Sequence, residues 1–99
     1  MNEHQQRLWQ NMIDLIRSCL NGETEDFYKV IGGLEGALDA SEIKDEDLIH
    51  QWYDFWTPLE IRRAVEGNHI NKVKALEELK GMQNFLLSKQ SEKKSSRNM

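Results

Sequence analysis

The chain has 99 residues, which allows one domain with a single hydrophobic core. Thirteen Lys and Arg against seventeen Asp and Glu give a net charge of −4, and the mean hydropathy is −0.73. No apolar run is long enough to span a bilayer, and an acidic chain does not attract a phosphate backbone through its overall field. The composition therefore argues against both a membrane and a nucleic acid as the partner.

The N-terminal segment is predicted to be a helix over residues 4–20, because its apolar residues recur every three or four positions. Gly22 follows the run and is typical of a helix C-terminus. Cys19 is the only cysteine and lies on the apolar stripe, so we expect no intrachain disulfide and a buried thiol. With no signal-peptide pattern at the N-terminus, these features indicate a cytoplasmic protein.

A second helix is predicted over residues 24–39, with Thr24 as its N-cap. Gly32, Gly33 and Gly36 interrupt its apolar stripe, and each costs about 0.5–1 kcal/mol relative to alanine. Two interpretations are open: a continuous helix that packs closely against a neighbour, or a break at the glycine pair. We favour the continuous helix.

Two further helices are predicted between Asp45 and Gly67. Asp45 is the expected N-cap of the third helix, which should end near Trp56. The segment Thr57-Pro58-Leu59-Glu60 has the pattern of a capping box with proline at the first helical position. It therefore predicts a short fourth helix that begins at Pro58.

The last predicted helix begins at a cap on Asn68 or Asn71 and ends near Ser88. Residues 89–99 are polar and mostly basic until the final methionine, a composition that predicts a disordered tail. The predicted fold class is all-α: a small bundle of four to five helices over residues 1–88, followed by a disordered basic C-terminal tail over 89–99.

Four aromatic residues fall within five positions of the third helix, and they cover too much of its circumference for all to face one core. We expect Trp52, Phe55 and Trp56 to lie in the core. Tyr53 is expected at the rim or in an interface, where tyrosine is enriched.

Glu46, His50 and Asp54 are spaced four apart on one helical face and are the best metal-ligand candidates in the sequence. Proteins that use such spacing for paired metals carry the motif twice, and here a second copy is missing. A solvated helix face is the favoured interpretation, and a metal-assisted enzyme is the alternative. With Cys19 on an apolar stripe and no phosphate-binding glycine loop, we expect a non-enzyme without a cofactor.

Charge is unevenly distributed, since residues 23–66 hold twelve acids and four bases whereas residues 67–99 hold three acids and seven bases. The acidic middle predicts a non-catalytic binding or regulatory protein whose partner is a basic protein. Self-association as a homodimer is the other form of this hypothesis. The residues predicted to contact the partner are Tyr53, Asp47, Asp54, Glu35 and Asp39.

The stretch from Gly33 to Ala40, Gly-Leu-Glu-Gly-Ala-Leu-Asp-Ala, is followed by Asp-Phe-Trp-Thr-Pro-Leu-Glu over residues 54–60. This combination resembles small uncharacterised bacterial helical proteins, some of them of the toxin-neutralising (immunity) type, over about residues 30–65. The resemblance implies a bacterial, non-enzymatic protein without catalytic residues.

Overall fold

The computed structural model describes residues 1–97, except for the side chains of Asn68 and residues 91–97. Within this range the chain forms four α-helices and no strand, which confirms the all-α prediction. The helices are α1 (Glu3–Leu20), α2 (Phe27–Ser41), α3 (Glu46–Glu66) and α4 (Lys72–Arg97), and a short 3-10 turn (Gly67–His69) joins the last two.

The four helices form an up-and-down bundle in which each helix runs antiparallel to its two neighbours. α1 packs against α2 and α4, and α3 packs against the same two helices. The core between them is built from the apolar stripes that the sequence predicted. Its largest fully buried apolar side chains are Trp9, Met12, Ile13, Ile16, Ile31, Leu34, Trp52, Leu59, Leu79, Met82 and Leu86.

The indole N–H groups of the three tryptophans all find acceptors inside the bundle. Trp9 Nε1 donates to the Leu86 carbonyl at 2.9 Å, and Trp56 Nε1 donates to the Ile31 carbonyl at 2.9 Å. Trp52 Nε1 lies 3.3 Å from the thioether sulfur of Met12. Each indole therefore joins two helices as well as filling space.

The start of α2 differs from the prediction. Its N-cap is Asp26, whose Oδ1 accepts the backbone N–H of Lys29 at 3.0 Å, and not Thr24. The Thr24 hydroxyl instead accepts the N–H of Asp26 at 3.2 Å, so it orders the turn before the helix. The helix does pass unbroken through its three glycines, as we favoured.

The predicted break at Pro58 is wrong, because α3 is continuous from Glu46 to Glu66. Proline has no N–H for the Asp54 carbonyl, which costs about 3 kcal/mol in a helix interior. Trp52, Trp56 and Leu59 are 0%, 6% and 0% exposed and form one stripe that spans the proline. Burial of side chains this large contributes about 1.5–3 kcal/mol each, so keeping the stripe in register outweighs the cost of the proline.

The caps of the later helices follow the prediction more closely. The Asp45 carboxylate accepts the N–H of Leu48 at 3.1 Å, and Asn71 Oδ1 accepts the N–H of Lys74 at 3.2 Å. α4 does not end near Ser88, however, since its backbone is helical to Arg97. Of the segment 89–99 that we predicted to be disordered, residues 89–97 therefore have a helical backbone, and positions 98 and 99 lie outside the described residues.

Candidate functional site: the acidic end of α2 and α3

The second half of α2 and the first half of α3 lie at the same end of the bundle, because the two helices are antiparallel and joined by a short loop. Residues 35–54 hold seven acids and one lysine, a net charge of −6. We call these seven residues the acidic end; they are Glu35, Asp39, Glu42, Asp45, Glu46, Asp47 and Asp54.

Part of this charge serves the helices themselves. Asp45 is the N-cap of α3, and Glu46 and Asp47 occupy its first turn. A carboxylate in the first turn is stabilised by the positive end of the helix dipole, by about 0.3–1 kcal/mol. Glu42 ends α2 in the left-handed conformation, at φ 56°. Local helix chemistry thus accounts for Asp45, Glu46 and Asp47, and leaves the other four acids of this end unexplained.

Three of the predicted partner-binding residues meet between α2 and α3. The Tyr53 hydroxyl donates to Glu35 Oε2 at 3.1 Å. Burial raises the pKa of Tyr53, and the hydrogen bond and negative charge of Glu35 and the charge of Asp39 raise it further. Tyr53 is only partly buried, so it lies at the rim of the bundle as the sequence predicted.

The other two predicted residues lie on a different side of α3. Asp47 and Asp54 are both exposed and are seven positions apart, so they share the outer face of the helix, about a quarter turn from Tyr53. Asp47 also lines a groove of about 450 Å³ together with Gln5, Ile43 and Gln51. The five predicted partner-binding residues therefore lie at one end of the bundle, but on two separate surfaces of it.

The seven carboxylates of the acidic end have no ion-pair partner among the described side chains. The other half of α3 is different. Arg62 contacts Glu66 at 2.7 Å and Glu78 at 2.8 Å, and Arg63 contacts Glu60 at 2.8 Å. The carboxylates at one end of α3 are thus in ion pairs, whereas those at the other end are not, although Lys44 and Lys89 line the same groove as Asp47.

The metal-ligand candidates Glu46, His50 and Asp54 are all exposed on α3. Over the part of the chain that the structure describes, no three His, Cys, Asp or Glu side chains come together in an arrangement that could hold a metal ion. Helical spacing brings such side chains to one face, but a second element must supply further ligands, and none does so here.

Cys19 has the environment of a structural thiol. It is 3% exposed, and burial together with the negative charge of Asp26 raises its pKa to about 11. The thiolate is the reactive form of cysteine, and at neutral pH this side chain is almost entirely protonated.

Phe55 is not a core residue, contrary to the prediction. It is 39% exposed and stacks on Phe85 of α4, with ring centroids 5.0 Å apart. The core side of α3 is centred between Trp52 and Trp56, which places Tyr53 toward α2 and Phe55 toward α4.

Sequence reasoning also missed the apolar side chains that remain on the surface. Ile61 and Val65 are 58% and 79% exposed on the outer face of α3. The spacing of these two residues from Asp54 and Pro58 places all four on one helical face. The sequence predicts this only if α3 continues through Pro58, which we did not expect. The roles of Arg62 and Arg63 were partly readable, because Glu60–Arg63 and Arg62–Glu66 have helical ion-pair spacing.

Among residues 1–97, no helix is both long and apolar enough to cross a membrane. Comparison with protein-family models, with curated proteins and with solved structures gave no match for this chain.

Proposed function

We propose that this chain is a non-catalytic binding protein that recognises a basic protein through its acidic end. The observation that carries the proposal is the excess of acids at this end of the bundle: seven carboxylates, net charge −6 with the one lysine, none of them in an ion pair with a described side chain. A patch of one sign raises the association rate with a partner of the opposite sign and disfavours wrong partners.

The position of these carboxylates is explained better by an interface with a partner than by a need of the folded chain itself. Mutual repulsion among uncompensated carboxylates destabilises a compact state, and a cationic partner relieves it. The same chain pairs Glu60, Glu66 and Glu78 with arginines in the other half of the bundle.

A toxin-neutralising role is one form of this proposal. It follows from the resemblance over residues 30–65 and from the fact that many toxins that cut nucleic acid are basic. On this hypothesis the protein acts in the cytoplasm, which suits its single buried thiol.

The test is affinity purification of the tagged protein from its source cells, read by quantitative mass spectrometry. The variant Asp39→Asn/Asp47→Asn/Asp54→Asn removes three charges from the acidic end. We expect the specific partner to be basic and to be lost with this variant, and its binding to weaken steeply as salt is raised.

The matched control is Glu23→Gln/Glu25→Gln/Glu77→Gln, which changes the net charge by the same amount at exposed positions of the opposite end of the bundle. This control should retain the partner. Equal loss with both variants would mean that only net charge matters, and retention with both would exclude the acidic end as the interface.

A further inference from the structure

The outer face of α3 carries a second feature beside its carboxylates. Asp54, Pro58, Ile61 and Val65 follow one another at intervals of four, three and four, so they lie along one stripe of the helix. Ile61 is 58% and Val65 is 79% exposed. A single exposed valine is ordinary, but these two adjoin each other and continue the line of Asp47 and Asp54.

No other helix among the described residues covers this stripe. α3 meets α2 through Tyr53 and Arg63, which contact Glu35 and the Tyr28 carbonyl. It meets α4 through Phe55 and Arg62, which contact Phe85 and Glu78. The stripe points away from both contacts, toward solvent.

We propose that this stripe binds a segment of the partner protein that has basic residues in one half and apolar residues in the other. The basic residues of the segment would lie against Asp47 and Asp54, and its apolar residues against Ile61 and Val65. The inference rests on the proposed function and adds to it the kind of segment that the partner presents. The charge at one half of the stripe and the apolar surface at the other set the direction in which the segment lies.

The same pattern disfavours a second copy of this chain as the occupant. Antiparallel pairing of two α3 stripes would bury the carboxylates of Asp47 and Asp54 against Ile61 and Val65, without a hydrogen-bonding partner. Parallel pairing would place like charges opposite one another. Only a partner with cations at one half and apolar residues at the other satisfies both halves.

The experiment measures fluorescence anisotropy of two labelled synthetic peptides with the same number of lysines. One is a two-block peptide with its lysines in one half and leucines in the other, and the second is oligolysine. We expect the two-block peptide to bind about tenfold more tightly than oligolysine at physiological salt, because burial of a few methyl groups adds to the electrostatic attraction.

The variant Val65→Ser is compared with Val73→Ser, which removes a valine of similar exposure (68%) from the start of α4. Val65→Ser should weaken binding of the two-block peptide about fivefold and leave oligolysine binding unchanged, whereas Val73→Ser should change neither. Circular dichroism of both variants checks that the bundle is intact.

The outcomes separate the two proposals. If neither peptide binds, recognition of a basic partner by the acidic end is refuted, and this inference with it. Equal binding of both peptides, insensitive to Val65→Ser, would leave the proposed function in place and overturn the inference of a segment with an apolar half. A dimer seen by light scattering that Val65→Ser dissociates would identify a second copy as the occupant and also overturn the inference.

Discussion

Gly32 and Gly36 lie one turn apart on α2, and the same substitution should have different effects at the two positions. A Cβ added at Gly36 meets no atom within 4 Å, so Gly36→Ala gains only the helix propensity of alanine. We expect a stabilisation of about 0.5–1 kcal/mol, which for a domain of this size raises the Tm by about 2–8 °C.

At Gly32 a Cβ would lie 2.7 Å from Nη1 of Arg63. The guanidinium of Arg63 lies 4.7 Å from the centre of the Tyr28 ring, and its Nη1 donates to the Tyr28 carbonyl at 3.3 Å. The flexible arginine can move aside, but it then gives up these contacts, each worth about 0.5–1 kcal/mol at a partly exposed site. Gly32→Ala should therefore be less stable than Gly36→Ala by about 1–2 kcal/mol, the sum of the two contacts.

Urea denaturation followed by tryptophan fluorescence measures both variants. Repeating the pair in an Arg63→Met background provides the control, because the difference between the two alanines should then disappear. If Gly32→Ala is as stable as Gly36→Ala while Arg63 is present, the contact between the added Cβ and Arg63 does not affect the free energy of unfolding. If Gly36→Ala destabilises the protein, the position is not open as described.

Three further predictions concern single side chains. Pro58→Ala restores an N–H for the Asp54 carbonyl and should raise the free energy of unfolding by about 1–3 kcal/mol in urea melts; an unchanged midpoint would contradict the cost assigned to the proline. Tyr53 should titrate above its ordinary pKa of 10.0 in ultraviolet absorbance, less so in Glu35→Gln. Because its folded pKa is raised, its contribution to stability is complete below pH 10 and is lost above it, a loss that Tyr53→Phe should abolish. Cys19, with a pKa of about 11, should react with Ellman's reagent at pH 8 far more slowly when folded than in urea; equal rates would refute its burial.

Two helix starts that depend on a few neighbouring residues were predictable from the sequence, whereas the start of α2 was placed two residues too early, at Thr24 instead of Asp26. Asp45 and Asn71 are caps because each precedes an apolar-periodic run by the expected distance. Pro58 was misread for the opposite reason. Its local pattern favours the start of a new helix. The helix continues instead because Trp52, Trp56 and Leu59 are all buried against the other helices, and these long-range contacts are not visible in the local sequence.

The candidate site likewise has features that the sequence predicts and features that depend on contacts between helices. The concentration of acids between Glu35 and Asp54 is visible in the sequence, but their lack of ion-pair partners is not. The contacts between Tyr53 and Glu35 and between Arg62 and Glu78 join different helices, so they depend on how far each helix is displaced along its neighbour. Helical periodicity gives the face of a residue and does not give that displacement.

The three indole rings are sealed inside the bundle, with exposures of 1%, 0% and 6% for Trp9, Trp52 and Trp56. Their emission therefore reports the loss of the native state and is insensitive to an event on the outer face of α3. A tryptophan signal that stays constant in the presence of another molecule would say nothing about complex formation, and a reporter for that purpose has to be attached to the surface by design.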